Sequence, residues 1–165
     1  VVLGYSFTKR FTALSHFFLG AALGLAPLGA WVAARASLAD GVPWLLALAV
    51  VCWVAGFDMI YALQDEKFDR AHGLHSMVVA LGVERSLRLV RCLHAAMLLV
   101  LIGVGLLSKL QWPYFAGLVV VLGSLVWEDQ LIRRLNENNL QRAFLNANAL
   151  AGFGYLGATA LGIFA

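Results

Sequence analysis

Five stretches of the sequence are long and almost continuously apolar: residues 13–34, 44–63, 94–107, 113–127 and 144–164. A helix rising 1.5 Å per residue needs about 20 residues to cross a hydrocarbon layer of about 30 Å. Backbone polar groups in lipid must be satisfied internally, so only helices and closed barrels cross it. Barrel strands alternate apolar and polar residues, and these runs do not. The chain is therefore expected to be all-α, a polytopic transmembrane helical bundle of about five spans embedded in a lipid bilayer. Composition agrees: 62% of residues are hydrophobic and 13% charged, against about half and about a quarter in soluble domains.

The segments between the runs set the order of the bundle. Residues 1–7 are apolar but too short to cross, and read as the stub of a helix whose beginning is missing. Residues 8–12 form a short charged turn. In the first span, Gly20 and Gly24 stand at the spacing that lets two helices approach closely, and Pro27 is expected to kink it. Residues 35–43 form a loop, 64–76 are polar, and 77–82 are apolar again. Residues 84–91 are amphipathic, with Arg85, Arg88 and Arg91 at every third position, and lead into the third span. Residues 108–111 form a tight turn before Trp112 and Pro113, which mark the next interface. Residues 128–142 are a polar loop rich in Asn136, Asn138 and Asn139. Cys52 and Cys92 sit in apolar settings and read as inert thiols. Neither a signal peptide nor a fixed-period repeat is visible.

The loops alternate between two sides. One side gathers Lys9, Arg10, Lys67, Arg70, Arg85, Arg88, Arg91, Arg133, Arg134 and Arg142; the other has Arg35 and Lys109. Cytoplasmic loops carry the excess of lysine and arginine, so the first side is assigned to the cytoplasm. The formal charge of +3 is read as topology, not as a nucleic-acid surface.

The second run ends in Gly56-Phe57-Asp58-Met59-Ile60-Tyr61-Ala62-Leu63-Gln64-Asp65-Glu66-Lys67-Phe68-Asp69-Arg70. Asp58, Asp65 and Asp69 are spaced by seven and four, within about 40° of one another on a helix. A carboxylate inside an apolar span is costly and commonly marks a functional interior. Paired carboxylates one turn apart suit Mg²⁺ shared with substrate phosphates; the plainer reading pairs Asp65, Glu66 and Asp69 with Lys67 and Arg70 on a solvated helix end. Lys9 and Arg10 fall on the same side, where a cationic pair can hold a diphosphate or simply record topology. Tyr5 stands one turn before Lys9. Asn146 and Asn148, early in the last span, suit either ligand contact or helix–helix hydrogen bonding. The four histidines show no convincing ligand spacing, and Ser76 lacks the partners of a nucleophile.

The stretch Asp58-x6-Asp65-x3-Asp69, followed by Gly73-x2-Ser76 and Gly82, resembles the second Asp-rich motif of the UbiA superfamily of intramembrane aromatic prenyltransferases. Within it the likeness is to the 4-hydroxybenzoate polyprenyltransferase branch and its naphthoate-prenylating relatives. Tyr5-x3-Lys9-Arg10-Phe11-Thr12 resembles the superfamily's Tyr-x-x-x-Lys segment. Phe144-Leu145-Asn146-Ala147-Asn148 with Gly152 resembles its late Phe/Asn-rich helix.

The resemblance implies one prenyltransferase domain over residues 1–165, part of a nine-helix fold around a central cavity, in the bacterial inner membrane with its active-site loops cytoplasmic. It implies transfer of a polyprenyl chain from its diphosphate to an aromatic acid with Mg²⁺ as cofactor, in ubiquinone synthesis; 1,4-dihydroxy-6-naphthoate in menaquinone synthesis is the alternative acceptor. By carry-over, Asp65 and Asp69 are the metal carboxylates and Asp58 is a further metal or substrate contact. Tyr5 and Lys9, with Arg10 beside them, line the diphosphate end, and Tyr61, Arg70, Asn146 and Asn148 are cavity residues. The superfamily's first motif, Asn-x-x-x-Asp-x-x-x-Asp, is absent from these residues, so the chain reads as the C-terminal part of such an enzyme. A transporter fragment using Asp58 as an ion site, or an inactive membrane fragment, are the competing readings.

Overall fold

A computed structural model describes residues 5–133 and 143–164. The expected Asn136, Asn138, Asn139 and Arg142 and the first four residues lie outside the described residues, and so does the Tyr5 side chain. Helices account for the fold, and no strand occurs among the described residues. A 3-10 turn over Tyr5–Arg10 leads to α1 (Ser15–Arg35), α2 (Val42–Ala71), α3 (Met77–Leu81), α4 (Val83–Leu107) and α5 (Trp112–Ile132). A π-helical turn over Ala143–Ala147 opens α6 (Asn148–Phe164). Five of these segments are long and apolar enough to cross a membrane, which makes the chain an integral membrane protein. Many large apolar side chains are exposed, among them Leu99, Leu106, Trp112, Phe153 and Leu161. In lipid such a surface carries no hydrophobic cost.

Two helices run on past their apolar spans. Helix α2 continues beyond Leu63 to Ala71, which keeps Asp65 and Asp69 on the same helix as Asp58, as their spacing requires; Gln64, Glu66 and Lys67 are sound helix formers once the helix has left the apolar layer. Likewise, the polar segment after Trp127 begins as the last turn of α5, where Glu128 is almost fully buried. At the other junctions the residues explain the turns. Gly73 and Gly82 take positive φ angles of 64° and 77°, a region that costs glycine least. Between them the Ser76 hydroxyl caps α3 by accepting from the Val79 N–H at 3.2 Å. Ser76 is thus a structural cap, in keeping with its lack of nucleophile partners.

The described residues form two compact units, within Val1–Val100 and Leu101–Ala165. In the first, α1 and α2 pack along a seam of small residues. A Cβ on Gly20 would lie 2.8 Å from the Val51 carbonyl oxygen, and one on Gly24 would lie 3.1 Å from that of Ala47. Backbone meets backbone there, so the neighbours cannot move aside. Gly20→Val is expected to force the helices apart and lower stability by about 1–3 kcal/mol or more. A thermal midpoint in detergent unchanged by that substitution would show that the seam is not the main contact.

The second unit is centred on Tyr114, which is fully buried in α5. Its hydroxyl donates to the Leu101 carbonyl oxygen at 2.7 Å, and its ring meets Phe115 and Tyr155 edge-on. Gly162 of α6 packs against its Cβ, and Gly117 packs against Ala158. Cys52 is buried and Cys92 exposed, and both are free thiols.

Candidate functional site

Asp58, Asp65 and Asp69 line one side of α2, and segments before α2 in the chain meet Asp58 and Asp69. His16, in the first turn of α1, is completely buried (0% exposed). Its Nδ1 lies 2.6 Å from Asp58 Oδ2. An ionised carboxylate can only accept, so toward an Asp58 carboxylate the imidazole donates through Nδ1. The Asp58 side chain keeps 24% of its surface, so the carboxylate is backed by histidine and open in front. Three turns further along, Asp69 is 2% exposed and accepts from Lys9 Nζ at 3.2 Å.

Lys9 is held twice. Its ammonium reaches Asp69, and its backbone carbonyl accepts from the His75 N–H at 2.7 Å. The 3-10 turn is thereby fastened to the loop that leaves α2. Lys9 itself is 31% exposed, and it takes one of the two Asp69 oxygens.

Asp65 lies between these two held carboxylates in sequence and near them in helical angle. It is half-buried, and among the described residues it has no ion-pair partner. The neighbouring charges are directed elsewhere: Arg70 is exposed and binds Glu66 at 2.9 Å. The plain reading of a solvated helix end therefore holds for Glu66 and Arg70 but not for Asp65. Arg10 is also exposed, with its guanidinium 5.7 Å from the centre of the Phe7 ring. Tyr61 is exposed on α2, and one face further along Phe68 stacks on His72 at 4.0 Å. Asn146 is exposed in the π-helical turn, and Asn148 is half-buried at the first residue of α6. Both belong to the second unit.

Spacing along the chain does not reveal two participants. No second ligating residue stands near His16 in the chain; its partner is 42 positions away. The signal available was a histidine at the very start of an apolar run, where a polar ring needs a partner. His94 is the other. It is buried in α4 with its imidazole packed directly on Gly56, two residues before Asp58. Gly56 therefore provides room for that ring.

Among the described residues no three His, Cys, Asp or Glu side chains are grouped to enclose a metal ion. A fully enclosing site is not what Mg²⁺ needs. It keeps several waters and binds through one or two carboxylates together with substrate phosphates. Asp65, with an unpaired carboxylate, and Asp69, one turn on with a second oxygen, offer that partial set of hard oxygen donors.

Comparison with known proteins places this arrangement among others. The model of the UbiA prenyltransferase family matches residues 1–151, taking in the first compact unit and most of the second. A 4-hydroxybenzoate octaprenyltransferase from Marinobacter nauticus is 34% identical over 149 residues, covering 90% of this chain and 50% of its own length. The protein of the same name from Edwardsiella ictaluri is 35% identical over 153 residues, covering 93% of this chain and 53% of its own. The chain thus spans about half the length of the curated relatives it matches. Among solved structures, the apo structure of a UbiA homolog from Aeropyrum pernix K1 superposes with a TM-score of 0.77 at 29% identity, covering 93% of this chain and 58% of that one.

Proposed function

Because the chain belongs to the UbiA prenyltransferase family, we propose that it forms part of an enzyme that moves a prenyl chain from its diphosphate to an aromatic ring. The observation that carries this reading is the line of carboxylates on α2, with Asp58 and Asp69 each held by a base and Asp65 left open. The relatives are named as 4-hydroxybenzoate octaprenyltransferases, so 4-hydroxybenzoate is the acceptor of first choice, in the context of ubiquinone synthesis. The membrane is taken to be the bacterial inner membrane, with the α2 carboxylates toward the cytoplasm.

In this reading Asp65 and Asp69 would hold Mg²⁺ against the diphosphate. When bound, the ion neutralises charge on the leaving oxygens. Lys9 adds fixed positive charge beside Asp69, at the end of the helix where the diphosphate would lie. The allylic C–O bond breaks and its electron pair leaves with the diphosphate. A ring carbon supplies the pair for the new C–C bond and then gives up its proton, restoring the aromatic ring. Water would capture the allylic carbon, so the reacting ends must sit among apolar helices. Tyr61 lies on α2 between Asp58 and Asp65 and suits the wall of such a space; Tyr5, Asn146 and Asn148 are proposed as substrate contacts on the family resemblance alone. Arg10 and Arg70, exposed and engaged with Phe7 and Glu66, are assigned to the rim.

Membranes containing the intact gene product, given radiolabelled prenyl diphosphate and 4-hydroxybenzoate, are expected to form a prenylated acid in Mg²⁺. Formation should stop in EDTA and return when Mg²⁺ is restored. Transfer at an equal rate in EDTA would remove the metal from the proposal. Preference for 1,4-dihydroxy-6-naphthoate over 4-hydroxybenzoate would move the enzyme to menaquinone synthesis.

A further inference from the structure

Asp58 differs from the other two carboxylates in what stands behind it. It is held by a neutral-capable donor, the His16 imidazole, rather than by a fixed cation, and it lies two turns, about 10 Å, deeper along α2 than Asp65. The His16 ring is completely buried, and its Nε2 has no hydrogen-bond partner among the described residues. Burying such a ring in an apolar seam without satisfying both nitrogens carries a cost. Its one hydrogen bond there is the 2.6 Å contact to Asp58. That contact holds Oδ2, and 24% of the Asp58 side-chain surface stays accessible.

A carboxylate can only accept hydrogen bonds, so its natural ligand is a donor. Of the two substrates proposed above, the diphosphate presents acceptor oxygens, whereas a phenolic ring presents an O–H. We propose that Asp58 is the hydrogen-bond acceptor for the ring hydroxyl of the aromatic substrate and that His16 is the positioning residue that aims it. This rests on the prenyl-transfer reading for its choice of substrates. It assigns to Asp58 a contact with the acceptor ring, leaving the metal to Asp65 and Asp69. A hydroxyl donating to a carboxylate also enriches its ring in electrons, which favours attack by a ring carbon.

The test uses the intact gene product purified in detergent. In the wild type, 4-hydroxybenzoate should raise the thermal midpoint and benzoate, which lacks the hydroxyl, should not. His16→Leu should abolish that difference. His16→Asn, whose amide nitrogen stands near the place of Nδ1, should retain it. In turnover assays, His16→Leu should raise the KM for the acceptor about tenfold or more, with the KM for prenyl diphosphate little changed, and His16→Asn should return it to within about threefold of wild type. The thermal measurement needs no turnover, so it decides this inference even if no prenyl transfer is found. Equal stabilisation of the wild type by benzoate, a folded His16→Asn that behaves like His16→Leu, or an equal rise in both KM values would each overturn it.

Discussion

Asp65→Asn should reduce prenyl transfer by about a hundredfold or more while leaving the thermal midpoint almost unchanged. The substitution keeps the size of the side chain and removes one charge. Asp65 is half-buried and has no ion-pair partner among the described residues, so the folded chain loses little when the charge goes. A reaction that depends on this carboxylate to hold a cation against the leaving diphosphate loses much more, since removal of one well-placed electrostatic contact costs about 10²- to 10³-fold. Raising Mg²⁺ should recover part of the rate, because the weakened site can still be filled by mass action. Undiminished transfer by purified Asp65→Asn would overturn the metal assignment. A large fall in thermal midpoint would show instead that Asp65 is a structural residue.

Lys9→Met has the opposite signature, a loss of stability as well as of rate. It leaves Asp69, 2% exposed, without its cation. Removing one partner of a buried ion pair costs about 3–5 kcal/mol, and the partial exposure of Lys9 points to the lower end. The double substitution Lys9→Met with Asp69→Asn should recover much of that stability, because a neutral amide in the same place is far cheaper to bury than a lone charge. It should not recover activity, since both the proposed diphosphate contact and a proposed metal carboxylate are gone. Thermal midpoints of the two single variants and the double variant form a cycle. Additive losses would mean that the 3.2 Å contact contributes nothing to the fold.

The spans and their order follow from hydropathy, because a bilayer imposes a length on each helix. The ends of the helices were less legible. Past the apolar layer, hydropathy no longer distinguishes a continuing helix from a loop; for α2 it is the spacing of the carboxylates that points to a helix through Asp69, and α2 ends at Ala71. The alignment of Asp58 with Asp69 was legible from helical geometry alone, and Lys9 was recognised as a cation on the same side. The pairing of His16 with Asp58 was not. It depends on the α1–α2 seam, whose register is fixed by Gly20 against Val51 and Gly24 against Ala47. Those backbone contacts carry the first turn of α1 to the level of Asp58, and sequence spacing within a single helix carries no information about them. Arg10 and Arg70 shared the charge pattern of Lys9 but lie at the surface with local partners.

Helix α2 has 30 residues, which at 1.5 Å each makes it about 45 Å long. That exceeds the hydrocarbon thickness by about 15 Å. One rigid rod therefore runs from lipid tails to headgroup water, with its chemistry graded by depth: apolar through Phe57, a single histidine-backed carboxylate at Asp58, and open or salt-bridged charges from Asp65 onward. A prenyl diphosphate of the kind proposed, laid along this rod, would keep its tail in oil while its charged head met ions at the surface. Each methylene drawn from oil into water would cost about 0.8 kcal/mol, so extracting a long isoprenoid would be prohibitive. The length of α2 would remove that obstacle, because the helix itself extends to the level at which the head of such a substrate would lie.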